Sequence, residues 1–362
     1  MNKNKPIGSD FHLPLGCLIK KPTNEAKKYI PRRGSIFLTA GRNSIAAIVD
    51  KLKIKSGEKV IIPGYVCKEI VQTLVEKGLQ VDFCRVEKGL KLNTKEIKKK
   101  IDKKTRAVLI VHYFGFPQEK IEEIKDICKT KGVVLIEDCV QSPFSTYKGK
   151  PLGSFSKWSL NSYRKYMPVP DGAILSYENM PEKIRTKKSI YHFLYVYGRF
   201  FMMVIKAIQM YLPIPNKMFY KPMRLIDRLC LERMKNAMKG SRLSMYIIKR
   251  TDIKRMIIRR RKNFLYLLKN MPADITPIYN SLTKGVCPLG FPITTKKREE
   301  IKKRLIENNI YPAIHWTIPD GLKGRENKLW RTMSEEMLTL PIDQRYGKEE
   351  MQKIIDVIKN GN

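Results

Sequence analysis

Acidic residues are scarce in this chain. It carries 34 Asp and Glu against 72 Lys and Arg over 362 residues, a formal net charge of +38. Histidine is rarer still: His12, His112, His192 and His315 show no metal-ligand spacing. The seven cysteines (Cys17, Cys67, Cys84, Cys128, Cys139, Cys230 and Cys287) are scattered, odd in number and without a CxxC pair. That excludes a disulfide framework and a cysteine zinc site, so no metal is expected, and it points to a reducing compartment. Long uninterrupted apolar runs are missing too. The most apolar stretch, from Ile190 to Leu212, is broken by Arg199 and Lys206 and makes a poor transmembrane span. The first ten residues lack the apolar core of a signal peptide. A cytoplasmic protein is expected, with a peripheral place at the inner face of a membrane left open. No internal repeat or low-complexity linker stands out.

What is present is an alternation of short apolar runs and amphipathic stretches. Lys59 to Pro63, Leu79 to Phe83, Ala107 to His112 and Gly132 to Glu137 read as strands. Cys67 to Lys77 and Glu119 to Lys131 read as helices, the second with Ile121, Ile124 and Ile127 on one face. This predicts an α/β fold, large enough for two domains. The expected division is an N-terminal arm over 1–35, a large domain over 36–250 and a smaller α+β domain over 251–362. A basic, apolar insertion is expected over about 183–240.

One pair of segments carries chemistry. The apolar strand ending in Glu137-Asp138 places a carboxylate at a strand's carboxyl end, where ligands of open α/β sheets bind. Further on, Lys165 lies in a loop between Ser162 and Asp171-Gly172. A lysine amine to condense with an aldehyde, and a carboxylate to keep a pyridine nitrogen protonated, are what pyridoxal phosphate chemistry requires. Taken singly, such an Asp is more often a cap or loop residue, and such a Lys a solvated charge.

At these residues the chain resembles the DegT/DnrJ/EryC1/StrS family of pyridoxal-phosphate-dependent sugar aminotransferases. Five segments in order carry the resemblance: Thr39 to Ala47, Glu137 to Gln141, Gly153-Ser154, Lys165 to Gly172, and Leu338 to Asp343. It implies a fold-type-I transferase, with a mostly parallel sheet in the large domain, a smaller C-terminal domain and a homodimer. It also implies roles. Lys165 is the lysine that binds the cofactor and moves the proton, Asp138 pairs with the pyridinium, and Gln141 bonds near the cofactor's phenolic oxygen. Gly41, Arg42 and Asn43 open a helix against the phosphate, with Ser162 and Ser159 competing to add a hydroxyl there. His112 is expected to make a structural hydrogen bond, and His315 and Trp316 lie toward the substrate. The sequence departs from the family's pattern at Arg42, at Cys67 (where an aromatic often stacks on the ring) and at Ser241, where a neighbouring subunit's Asn is usual.

The reaction so implied moves an amino group from an amino acid, with glutamate as donor, to a nucleotide-linked keto sugar, as in surface polysaccharide synthesis. A dehydratase is disfavoured by Lys165. The alternative from another class is a catalytically retired homologue acting through its basic region on a membrane or partner. Between Lys183 and Lys269 the only acids are Asp227, Glu232 and Asp252. A solvated face or attraction to anionic lipid accounts for such a stretch. Specific nucleic-acid binding is not expected, because no nucleic-acid module is recognisable.

Overall fold

The structure is a computed structural model that describes residues 6–14, 16–29, 34–178, 184–187, 189–209, 216–234, 236–318 and 328–359. Parts of the expected arm (1–5, 15 and 30–33) and of the expected insertion (183, 188, 210–215 and 235) lie outside the described residues.

The elements that build the site begin with β1 (Ser35–Leu38), α1 (Gly41–Lys51), β2 (Lys59–Pro63), α2 (Lys68–Glu76) and β3 (Gln80–Cys84). Next come β4 (Thr105–Val111), α3 (Ile121–Thr130), β5 (Val134–Cys139), β6 (Trp158–Ser162) and β7 (Ala173–Tyr177). Three helices follow: α4 (Ile190–Ile208), α5 (Asn216–Arg233) and α6 (Arg242–Arg250). Three short strands complete the set: β8 (Thr276–Pro277), β9 (Phe291–Thr294) and β10 (Met337–Leu340).

Two compact units emerge, and neither follows chain order. One holds 1–9, 55–156 and 255–362, and the other holds 10–54 and 157–254. The division expected from the sequence cuts the chain at 35 and 250. The units differ from it because 255–362 packs with 55–156, while 10–54 packs with 157–254.

In the first unit the strands run β3-β2-β4-β5, each parallel to its neighbour. The β-branched run of β4 is buried from Ala107 to Val111. Each fully buried Val, Leu or Ile there contributes roughly 1.5–3 kcal/mol. Helix α3 buries Ile121, Ile124 and Cys128, one face at helical spacing. Glu122 and Glu123 in its first turn complement the helix dipole. Strands β8, β9 and β10 form a separate antiparallel sheet. Strand and helix positions expected between residues 59 and 137 agree with the structure to within a few residues.

In the second unit β7 lies between β1 and β6 and runs antiparallel to both. Leu38, Ala173 and Ser162 share one row across these strands. Helix α1 is buried from Asn43 through Val49 without interruption, so it is enclosed rather than amphipathic.

Candidate active site

In the first unit, parallel pairing brings strand ends into line. Val111 pairs with Asp138 in register, and the His112 N–H donates to the Asp138 carbonyl at 3.0 Å. Asp138 is 4% exposed, and its Oδ1 accepts the Val140 N–H at 2.8 Å. Gln141, also buried, accepts the Phe114 N–H on Oε1 at 2.9 Å, which ties down the turn that leaves β4.

Glu137, the residue before Asp138, is fully buried and heavily bonded. Its carboxylate accepts N–H groups from Gly153 (2.8 Å), Phe155 (2.8 Å) and Ser156 (2.6 Å). His112 Nε2 lies 3.1 Å from Glu137 Oε2. The Gln118 N–H donates to His112 Nδ1 at 3.0 Å, so Nε2 carries the proton and donates to Glu137. Burial alone would raise the Glu137 carboxyl. The His112 hydrogen bond, with the Gly153 and Ser156 donors, outweighs burial and holds it below the usual range. His112 therefore has the structural bond expected of it, and the Gly153-Ser154 step exists to close a loop on Glu137.

His112, Glu137 and Cys139 place one potential ligand atom each within 4.8 Å of one another. This cluster is not built for a metal. Both Glu137 oxygens are already occupied, Oε1 by the Phe155 and Ser156 N–H groups and Oε2 by Gly153 N–H and His112.

The same unit gathers aromatic rings that sequence reasoning undervalued. Tyr65, buried just past β2, has its ring centroid 6.0 Å from Tyr113 and 5.4 Å from Trp316. The Tyr113 hydroxyl donates to the Tyr65 carbonyl. His315 meets the Phe114 ring edge-on at 5.3 Å, and its Nδ1 lies 3.1 Å from Thr339 Oγ1. Cys67, at the N-cap of α2, is half-buried. The pairing of Tyr65 with Trp316 joins residues about 250 positions apart, and no local pattern signals it.

In the second unit the shared row of Leu38, Ala173 and Ser162 gathers the other candidates at one end of the three strands. The Gly172 N–H donates to the Thr39 carbonyl at 3.0 Å, and the Tyr163 N–H to the Gly172 carbonyl at 3.0 Å. Helix α1 starts just beyond Thr39, and Lys165, half-buried, closes the turn Tyr163–Lys165 just beyond Ser162. Ser162 is thus at the strand end, whereas Ser159 pairs with Ser176 about 10 Å back along β6. An odd separation also turns the two hydroxyls to opposite faces.

The start of α1 has no side-chain cap. The Asn43 N–H donates to the Ala40 carbonyl at 3.0 Å, and its side-chain amide donates to the carbonyls of Met234 (2.9 Å) and Asn236 (2.6 Å). Asn43 thus fastens α1 to the residues after α5, a role its sequence position does not announce.

Asp171 is fully buried and gathers its partners from far along the chain. The Ser241 N–H donates to Oδ2 at 2.9 Å, the Ser241 hydroxyl donates to Oδ1 at 2.6 Å, and the Ser244 hydroxyl donates to Oδ1 as well. His192 Nε2 lies 3.2 Å from Oδ2. Ser241 also caps α6 by accepting the Ser244 N–H at 3.0 Å. Gly172 sits at φ +127°, and a Cβ there would meet the Phe37 ring at 3.0 Å, so glycine is required. Arg164 donates to the Tyr195 hydroxyl at 2.6 Å. Both sides of the Lys165 loop are therefore tied to α4, through Tyr195 and His192.

Comparison with known proteins fits this arrangement. Residues 11–179, which include Asp138 and Lys165, match the DegT/DnrJ/EryC1/StrS aminotransferase family. Over 161 residues the chain is 29% identical to GDP-perosamine synthase of Vibrio cholerae, and the aligned stretch covers 44% of each protein, under half the length of that relative. It is 20% identical to the dTDP-3-amino-3,6-dideoxy-alpha-D-galactopyranose transaminase of Aneurinibacillus thermoaerophilus, over 98% of this chain and 93% of that one. The solved structure of the aminotransferase TlmJ from Streptoalloteichus hindustanus superposes with a TM-score of 0.70 over 99% of both chains, at 15% identity, a likeness of fold. The match to the DegT/DnrJ/EryC1/StrS aminotransferase family thus covers just under half of the chain, residues 11–179.

Proposed function

We propose that this chain is a pyridoxal-phosphate-dependent aminotransferase. It moves an amino group from an amino acid, with glutamate as donor, to a nucleotide-linked keto sugar, and it works as a homodimer in the cytoplasm. The observation that carries the reading is Asp138. It is a buried carboxylate at the carboxyl end of a parallel strand, within the segment that matches the family and also holds Lys165 and the start of α1.

The residues suit the cofactor. Helix α1 opens without a side-chain cap, and Ser44 Oγ in its first turns is buried without a hydrogen-bond partner among the described residues. Amide donors, a hydroxyl and the positive end of a helix dipole suit a phosphate. When bound, pyridoxal phosphate supplies an aldehyde to carry the amino group and a ring to take up the electron pair left on the donor carbon.

The chain's own residues supply the rest. Gly41, Arg42 and Asn43 open the helix that binds the phosphate, with Ser162 the better placed of the two hydroxyls at the strand end. Asp138 holds a proton on the pyridine nitrogen, and Gln141 orients the ring. Lys165 Nζ removes a proton from the donor carbon and returns it. His315 and Trp316 orient the sugar. The names of the relatives carry GDP- and dTDP-linked sugars, and a strongly positive protein draws such anions toward it. Seven free thiols, six of them buried, suit a reducing compartment.

The test is an absorption spectrum of the purified protein with added pyridoxal phosphate, before and after glutamate. A visible band that glutamate removes, and that Lys165→Ala lacks, is the expected result. A band unchanged in Lys165→Ala, or full transamination by that variant, refutes the assignment.

A further inference from the structure

We propose that the outward face of α4 and α5 docks on the surface of an anionic lipid bilayer. A surface helix ordinarily points its charges to water and its apolar side chains to the core. Helix α4 does the reverse. Its two cations turn inward: Arg199 pairs with Asp227 of α5, and Lys206 lies 3.9 Å from Asp10. The Arg199 guanidinium also lies over the Tyr195 ring at 5.6 Å.

The apolar side chains that α4 shows to water are Ile190, Phe193, Leu194, Tyr197, Phe201 and Ile208, each 42–64% exposed and spaced as one helical face. The rings of Phe193 and Tyr197 touch, with centroids 4.4 Å apart. Helix α5 adds Leu225, Ile226 and Leu229. Of the sixteen large hydrophobic residues exposed among those described, nine lie on these two helices. An apolar surface concentrated in this way marks a contact, whereas single exposed residues do not.

Charge identifies the occupant. Among the described residues, the exposed charged ones of the same stretch are Arg185, Lys187, Arg228, Arg233, Lys239 and Arg242, against the single acid Glu232. Facing two copies of a +38 chain across this surface would set like charges together, whereas an anionic headgroup layer gains from each of them. No helix among the described residues is long and apolar enough to cross a membrane. A helix with rings and aliphatic side chains on one face, flanked by cations, instead lies along the headgroup boundary. The inference concerns where the protein sits and does not depend on the reaction it catalyses.

The full-length protein is sedimented with vesicles of phosphatidylcholine, alone or mixed with phosphatidylglycerol. About ten-fold more protein is expected on the mixed vesicles, with most of that gain lost at about 0.5 M salt. The triple variant Phe193→Ser, Leu194→Ser, Phe201→Ser should lose at least about ten-fold in vesicle binding while keeping its circular dichroism. Leu265→Ser with Ile306→Ser, exposed apolar residues elsewhere, should bind as the unaltered protein does. If the triple variant misfolds, Arg228→Gln with Lys239→Gln leaves the apolar face whole and should weaken binding about five-fold per charge removed. Equal binding to both vesicle types, or equal loss in the Leu265 and Ile306 control, overturns the proposal. So does a protein that ignores vesicles and whose triple variant loses mass by light scattering, because the face would then be a contact between copies.

Discussion

The strand ends of β4 and β5 and the helical pair α4 and α5 treat their polar groups in opposite ways. At the strand ends, charged and polar side chains lie among buried apolar strands, and the structure surrounds them with donors. Glu137 alone takes three backbone N–H groups and His112. In α4 the two cations, Arg199 and Lys206, are also drawn inward, to Asp227 and Asp10, but apolar side chains of α4 and α5 are left outside. A buried carboxylate is costly unless every oxygen finds a donor. Where the fold meets that cost, it holds a polar group in one position, as chemistry on a ring demands. Exposed apolar side chains have no such local remedy, and only a further surface can cover them.

The contrast can be broken at each end. The largest expected effect lies at Asp138. Asp138→Ala should lower transamination by about a thousand-fold, as for loss of a group that holds a proton in place. The folded protein should persist, because the backbone pairing of Asp138 with Val111 and its carbonyl's bond from the His112 N–H do not depend on the side chain. Steady-state rates with glutamate as donor, beside a urea melt, check both halves. A rate within ten-fold of the unaltered enzyme would remove Asp138 from the site.

Glu137→Gln should act on stability, by about 2 kcal/mol at neutral pH, because an amide cannot serve all four donors. The sign with pH follows from a folded carboxyl held below its usual range. Its contribution is fully present above the unfolded value of about 4.3 and is lost as pH falls through the folded value. Urea melts at neutral and acid pH should therefore show the variant's deficit shrinking below about pH 4. A deficit that stays constant with pH would mean the carboxylate's charge is not what the donors hold.

The smallest effect is expected on the outer face of α4. Phe193→Ser should change stability by about 0.5 kcal/mol or less, because the ring already faces water. A loss of several kcal/mol in a thermal melt would mean that the ring is buried in the assembled protein.

Much of the fold is legible along the chain. Strands β2 to β5 show as β-branched runs, and α3 as a single apolar face, because both signals arise from neighbours a few residues apart. Asp138 and Lys165 are legible for the same reason, each marked by its own short segment. The partners of Asp171 are not. Ser241 and Ser244 lie about seventy residues away, and nothing in their local pattern points to a carboxylate. Trp316 beside Tyr65 and Asn43 beside Met234 are hidden in the same way.

By itself, then, the sequence determined the class of fold, the strand-end carboxylate, the loop lysine and the basic character of the middle region. These follow from composition and from local periodicity. Only the tertiary structure decided which way α4 faces. Its apolar stretch suits a buried helix or a surface one equally well. The choice turned on Asp10 and Asp227, residues distant in sequence that pull Arg199 and Lys206 inward and leave the aromatic face to solvent. The two compact units, each assembled from separated stretches of chain, were decided in the same way, because packing joins surfaces irrespective of chain order.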